Sequence, residues 1–327
     1  MLDRRALLAA LAALPLAPAL APALVPALVP GARAAEPGVL RIGYQKNGIL
    51  VVAKQQKIIE KRLEPLGYAV RWVEFSFGPP LLEALSLDGI DLGQTGDAPP
   101  IFAQAARSNL VYAAAQEAGG SGAGILLPKG SEIRSLAELK GKRVAFAKAS
   151  SSHNLTIAAL EKAGLSYADI EPVTLAPADA AAAFARGSID AWTIWDPYFA
   201  IAEQGEGVRV LVRATDVTPQ NNFFLASRPF AESRAPVLTA AIDALGEVAA
   251  WCTQNRGAVA ELLSQGTGVP LAATRRAVDR TDYVIGPMTD RVAAEQQRVA
   301  DRFHALKLIP KPIRIADAVW TPPARNG

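Results

Sequence analysis

The chain has 327 residues and a formal net charge of only +3, with half of its residues hydrophobic and a fifth charged. No block of like charge appears, which argues against a nucleic-acid or polybasic membrane surface. The single cysteine, Cys252, excludes an internal disulfide framework and a multi-cysteine metal site, and His153 and His304 lie too far apart to spell a metal motif.

The first 34 residues stand apart. Arg4 and Arg5 precede an Ala/Leu-rich run, and Ala32-Arg33-Ala34 fits the small-x-small pattern of a cleavage site, so this stretch reads as a secretory signal peptide. Prolines at 15, 18, 22, 26 and 30 disfavour a lasting transmembrane helix there. Asp3-Arg4-Arg5-Ala6-Leu7-Leu8 weakly resembles a twin-arginine signal, leaving the Sec and twin-arginine routes both open. A mature chain starting near Ala35 is close to neutral and long enough for two lobes.

From Val39 the pattern alternates. Strands are expected at 39–44, 69–75, 90–93 and 110–114, with helices at 49–66, 79–87 and 98–106 between them. After the glycine-rich break Gly119-Gly120-Ser121-Gly122, an extended stretch at 124–128 and a short helix at 135–140, capped by Ser135, lead to a second alternation. It comprises strands at 143–147, 171–175, 189–193 and 208–212 and helices at 153–163 and 178–186. Phe223–Ser227 reads as a returning strand, and the remainder is mainly helical, near 236–254, 256–265, 270–279 and 289–306. This rhythm predicts an α/β protein of two lobes, 35–130 with 220–327 and 131–219, joined by two crossings around a ligand cleft. In open α/β sheets, ligands lie beyond the carboxyl ends of the strands.

Several stretches fall at such ends. Ser150-Ser151-Ser152-His153-Asn154 lies between a strand and a helix, where free N–H groups and the helix dipole favour an anion. Three serines and Asn154 exceed what one cap needs, so an anion pocket and simple capping are both carried forward. Gly93-Gln94-Thr95-Gly96-Asp97-Ala98-Pro99-Pro100 supplies a second helix start. There Thr95 and the Gly96 N–H suit an anion, whereas the Asp97 carboxylate suits the cap. No phosphate-loop pattern occurs.

Gln45, on its own residues, reads as a solvated loop amide, and Lys46 as surface charge. In Asp190–Tyr198, Trp192 is expected in the core, while Trp195 is divided between core and ligand wall. His153 has neither nucleophile nor orienting acid at a recognisable spacing, so a supporting hydrogen-bond role is expected. Cys252, in an apolar helical run, reads as a buried, inert thiol.

These segments also carry a resemblance. Arg41–Lys46, Asp91–Asp97, Pro99–Ala105, Ser150–Leu155 and Asp190–Tyr198 resemble the periplasmic aliphatic-sulfonate-binding proteins of ABC importers, within the nitrate/sulfonate/taurine-binding group. The likeness runs from Leu40 to about Pro322. It implies a type II periplasmic binding fold that captures a sulfonate and delivers it to a membrane permease driven by an ATPase. Carried onto this chain, the ligand-binding set is Gln45, Thr95, Gly96, Asp97, Ser151, Ser152, His153, Asn154, Trp195 and Asp196. The last two line the organic side. The resemblance implies a monomer that binds without catalysis, metal or cofactor. Rival readings are a binder of taurine, nitrate or a pyrimidine vitamin precursor, and a desulfinase-like enzyme, which would need a reactive cysteine in the cleft.

Overall fold

The computed structural model describes residues 38–117 and 122–323. The expected signal peptide and residues 119–121 of the glycine-rich break lie outside the described residues.

The chain opens with β1 (Gly38–Tyr44), α1 (Gly48–Gln56), α2 (Ile58–Leu63), β2 (Tyr68–Glu74), α3 (Gly78–Ser86), β3 (Leu92–Thr95), α4 (Ala98–Ala105) and β4 (Leu110–Gln116). The single helix expected over 49–66 is broken at Lys57, whose φ of 54° places it in the left-handed region between α1 and α2. Gly67 then ends the segment at φ 73°, a conformation that costs glycine little.

Next come β5 (Ala123–Leu127), β6 (Arg143–Phe146), α5 (Ser151–Lys162), β7 (Glu171–Thr174), α6 (Pro177–Ala185), β8 (Ala191–Trp195), α7 (Tyr198–Ala202) and β9 (Arg209–Arg213). Residues 136–139 form only a 3-10 turn, and the Ser135 hydroxyl donates to Glu138 instead of capping it. The chain returns through β10 (Asn222–Ser227), α8 (Arg228–Ser233), α9 (Ala235–Gln254), α10 (Arg256–Thr267), α11 (Leu271–Asp279), β11 (Ile285–Gly286) and α12 (Asp290–Ala305). The sequence periodicity missed α7, α8 and β11, which are too short to set a pattern.

Two sheets organise these elements, in the orders β11-β4-β10-β3-β1-β2 and β7-β6-β8-β5-β9. Both are mixed. The β1–β2, β1–β3, β6–β7 and β6–β8 pairs are parallel, whereas β10 runs antiparallel between β3 and β4, and β5 antiparallel between β8 and β9. The extended stretch near 124–128, expected with the first lobe, therefore belongs to the second sheet. It finds its hydrogen-bond partners on β8 and β9.

Helices cover both faces of each sheet, so central strands such as β4, β5 and β10 are buried on both sides, while the edge strands β2, β7 and β9 stay partly exposed. On the first sheet, α1, α2, α9 and α10 bury Ile49, Leu63, Leu238, Leu245 and Val259 on one face, while α3, α4 and α12 bury Leu81, Ile101 and Phe303 on the other. On the second, Leu160 of α5 and Phe184 of α6 sit in separate clusters on opposite faces. The α9 helix is apolar and long enough to cross a membrane, but its stripe Val237, Leu238, Ala241, Leu245, Val248 and Cys252 is buried in the protein core. Burial pushes the Cys252 thiol up to about 12.

Candidate functional site

Strands β1 and β3 of one sheet and β6 and β8 of the other end around a cavity of about 210 Å³. Four helices present their first residues to it: α1 through Asn47 and Gly48, α3 through Gly78, α4 through Gly96 and Pro99, and α5 through Ser150 and Ser151. A helix start carries a partial positive charge, and those of α1 and α5 also keep free N–H groups, whereas α3 and α4 have prolines in their first turns and the Ala98 N–H of α4 is taken by Asp97. No side chain caps α1 or α5.

The serine run divides its labour. Ser150 Oγ donates back to the Ala147 carbonyl at 2.7 Å, and Ser152 Oγ accepts the Ala147 N–H at 3.1 Å, so both fold the strand-to-helix turn onto itself. Neither caps the helix. Ser151 alone among Ser151–Asn154 lines the cavity. It sits against Gly96: a side chain at 96 would begin 2.0 Å from Ser151 Oγ and 3.2 Å from its Cβ. Only a residue without a Cβ lets the two loops meet there.

Behind this contact lies a buried polar layer. Asp97 caps α4 by accepting the Ala98 N–H at 2.7 Å, and its other oxygen accepts from Asn154 Nδ2 at 2.6 Å. Asn154 in turn accepts from Arg302 Nη1 at 2.7 Å, and Arg302 Nε reaches Glu161 at 2.8 Å. Burial pushes the Asp97 carboxyl up to about 6, against the pull of hydrogen bonds from Ser151, Asn154 and Ala98 and of the Arg302 charge. His153 is stacked on Phe146 at 4.7 Å between centroids and is only 1% exposed. Burial, helped by Lys148, lowers it to about 4, so it is a neutral aromatic wedge near pH 7.

The structure therefore brings Gln45, Thr95, Gly96, Ser151, Trp195 and Asp196 of the expected set onto one cavity. Asp97, Ser152, His153 and Asn154 are instead buried behind its wall, because residues along one helix turn cannot all face the same opening. Trp192 is core, as expected, at 1% exposure.

Apolar side chains also line the cavity, among them Leu50, Trp195, Leu263, Val269, Val278 and Tyr283, interleaved with Thr267, Thr274 and Thr281. Asp196 lies there too, but its carboxylate is occupied: Arg280 Nε and Nη2 donate to it at 2.7 and 2.6 Å. Arg280 Nη1 also reaches Glu203 at 2.8 Å. Burial raises the Asp196 pKa and Arg280 opposes the shift. Sequence reasoning missed Asn47, Gln94, Gln116, Gln220, Asn222 and Arg280, all of which line the cavity. Gln94 sat inside a motif already singled out. Asn47 lies beside Gln45 and Lys46 at the same strand exit, and the rest are brought in by long-range packing that no local spacing encodes.

With this geometry in hand, the chain can be set beside known proteins. The family model described as the NMT1-like family matches residues 33–264. A protein of Escherichia coli K12 named for binding aliphatic sulfonates is 43% identical over 90% of this chain and 93% of its own length. The crystal structure of the periplasmic aliphatic sulphonate binding protein SsuA from Escherichia coli has a TM-score of 0.80 and 44% identity, covering 89% of this chain and 94% of that one. The alkanesulfonate-binding protein SsuA of Xanthomonas axonopodis pv. citri, bound to MOPS, has a TM-score of 0.81 and 42% identity over 88% of this chain and 99% of that one. The chain belongs to the NMT1-like family and to the family of these aliphatic-sulfonate-binding proteins.

Proposed function

We propose that this chain is the binding component of an ABC importer and captures aliphatic sulfonates in the cavity between its sheets. The observation that carries the reading is the convergence of four helix starts, the Ser151 and Thr95 hydroxyls and a set of apolar side chains on one cavity. A sulfonate is a monoanion at any physiological pH, so it needs donors and no proton acceptor. Gln45, Thr95, Gly96 and Ser151 hold its oxygens, and Trp195 flanks the organic part. Asp97, Ser152, His153 and Asn154 act from behind by fixing the two helix starts against each other.

Charge-assisted hydrogen bonds are worth about 1.5–3 kcal/mol each. A few of them, with burial of the tail, exceed an association cost of about 4 kcal/mol or more and reach the ~8 kcal/mol net of micromolar binding. A phosphate dianion would ask for a free cation, and Arg280 is already engaged by Asp196 and Glu203.

The protein acts as a monomer in the periplasm, exported by the Sec or twin-arginine route, and hands its ligand to a permease with its ATPase. It binds without catalysis. The desulfinase-like alternative needs a thiol in the cleft, and Cys252 is fully buried in α9 with its pKa raised. The periplasmic and sulfonate-binding character of the matched relatives supports the same reading.

A thermal-shift panel on the ligand-stripped chain tests it, with methane-, butane- and octanesulfonate, taurine, sulfate, nitrate and a pyrimidine precursor. A ligand at a thousandfold its dissociation constant adds about 4 kcal/mol, or about 8 °C or more. Shifts with alkanesulfonates but not sulfate are expected. A shift only with nitrate, taurine or the pyrimidine would change the substrate, and none at all would end the assignment.

A further inference from the structure

The cavity wall contains more carboxamides than an alkanesulfonate can use: Gln45, Asn47, Gln94, Gln116, Gln220 and Asn222. Their hydrogen bonds fix which atoms face inward. Gln116 Nε2 donates to the Asp282 carbonyl at 2.8 Å, and a carbonyl can only accept, so the direction of the Gln116 amide is set. Its Oε1 accepts from Gln94 Nε2 at 2.8 Å, which sets Gln94 in turn. The relay ends at Gln94 Oε1, which no donor among the described residues reaches. That oxygen lies 3.5 Å from where a side chain on Gly48 would begin, at the uncapped start of α1. Gln45, by contrast, donates to the Gln94 carbonyl at 3.1 Å and keeps its second N–H for the anion.

An anion's oxygens are repelled by an acceptor, so Gln94 Oε1 is left for a donor elsewhere on the ligand. A plain alkyl tail would strip water from this acceptor and give nothing back. Building on the sulfonate reading above, we propose that the cavity selects sulfonates whose tail carries a neutral hydroxyl a few atoms from sulfur, received by Gln94 and positioned by Gln116. A neutral donor fits better than an ammonium group. Asp196 is engaged by Arg280 and Glu117 by Arg291, and the remaining carboxylate of the wall, Asp282, is exposed.

The test is calorimetry on the full chain with matched pairs: ethanesulfonate against 2-hydroxyethanesulfonate, and propanesulfonate against 3-hydroxypropanesulfonate, with taurine as the ammonium counterpart. In at least one pair the hydroxylated member should bind tenfold tighter or more, and taurine should be weaker than 2-hydroxyethanesulfonate. The ratio within that pair should fall toward one in Gln94→Met, where the acceptor is gone, and in Gln116→Met, where Gln94 is free to turn. Equal or tighter binding of the plain members in both pairs, or tightest binding of taurine, overturns the inference while leaving the sulfonate site intact. Binding by none of the sulfonates overturns the site assignment itself, and this inference with it. The wild-type ratios decide the matter even if a variant fails to fold.

Discussion

Replacing Gly96 by alanine adds one methyl group at the point where the two helix starts meet. The new carbon would lie 2.0 Å from Ser151 Oγ and 3.2 Å from Ser151 Cβ, where ordinary contacts begin near 3.4 Å. The hydroxyl must rotate out of the way, and the α5 start must yield by a few tenths of an ångström. Gly96 has no positive φ, so alanine is not penalised by the backbone itself. The expected loss is one charge-assisted donor to the sulfonate, about 1.5–3 kcal/mol, or roughly 10- to 150-fold in Kd. Calorimetry with butanesulfonate measures it, and a thermal melt of the unliganded chain should move by only about 2–3 °C, roughly 1 kcal/mol in a chain of this size. Ser151→Gly should weaken binding by a similar factor, because it removes the same hydroxyl. The double variant should then be little worse than either single one, since both act on one atom. Wild-type affinity in Gly96→Ala, or losses that add fully in the double variant, would refute the placement of the anion against Ser151.

The serines should separate in binding: Ser152→Ala strands the Ala147 N–H and should cost about 1–3 kcal/mol in urea melts with Kd nearly unchanged, whereas Ser151→Ala should raise Kd as well as removing a hydrogen bond from the buried Asp97. Equal effects on Kd would sink that division. Arg280→Ala leaves the part-buried Asp196 carboxylate without its cation, while Glu203 keeps Arg213 and Arg276, and should cost about 3–5 kcal/mol, partly recovered at lower pH as Asp196 protonates. A loss under about 1 kcal/mol would mean the pair is solvated.

Asp97 and His153 pull in opposite directions with pH. Between about 4 and 6 the folded chain keeps an Asp97 proton that the unfolded chain, with its ordinary value of 3.8, gives up. That contribution falls as pH rises. Over about 4 to 6.5 the unfolded chain takes a His153 proton that the folded chain refuses, so that contribution rises with pH and is lost as pH falls toward 4. Each slope is about 1.4 kcal/mol per pH unit, and they offset. His153→Phe removes the rising one, so relative to wild type it should gain about 3 kcal/mol on going from pH 7 to pH 4. A difference from wild type that does not change with pH would show that His153 is not held neutral.

Much of the architecture was legible because alternating apolar runs and helix-stop glycines are local signals: β1, β2, α3 and α4 lie within a few residues of where periodicity put them. Strand direction is not local. Nothing in Ala123–Leu127 announces that its partners are β8 and β9 rather than its sequence neighbours. The site was half legible for a similar reason. A run such as Ser150–Asn154 shows that polar groups crowd a helix start, but a helix turns about 100° per residue, so Ser150 and Ser151 reach the opening while Ser152, His153 and Asn154 turn away from it. His153 and Asn154 looked like ligand residues because polar types at a strand end usually are. Their partners Phe146, Asp97 and Arg302 come from β6, the α4 cap and α12, and only the fold could name them.

The place of β10 bears on how the molecule assembles. It is the central partner of both β3 and β4, yet it lies more than a hundred residues after either. While the chain emerges from its N-terminus, β3 therefore has one unmet edge until residue 227 is available, and β4 has neither neighbour until then, its outer edge waiting for β11 at 285–286. The second sheet is continuous from residue 123 to 213 and can close well before that. Its longest pairing, β5 with β9, spans about ninety residues, whereas the first sheet must close the longer separation between β10 and its partners, and long-range pairing is intrinsically slow. The first sheet is thus completed after the second, and β10 is also the strand that brings Asn222 to the cavity rim.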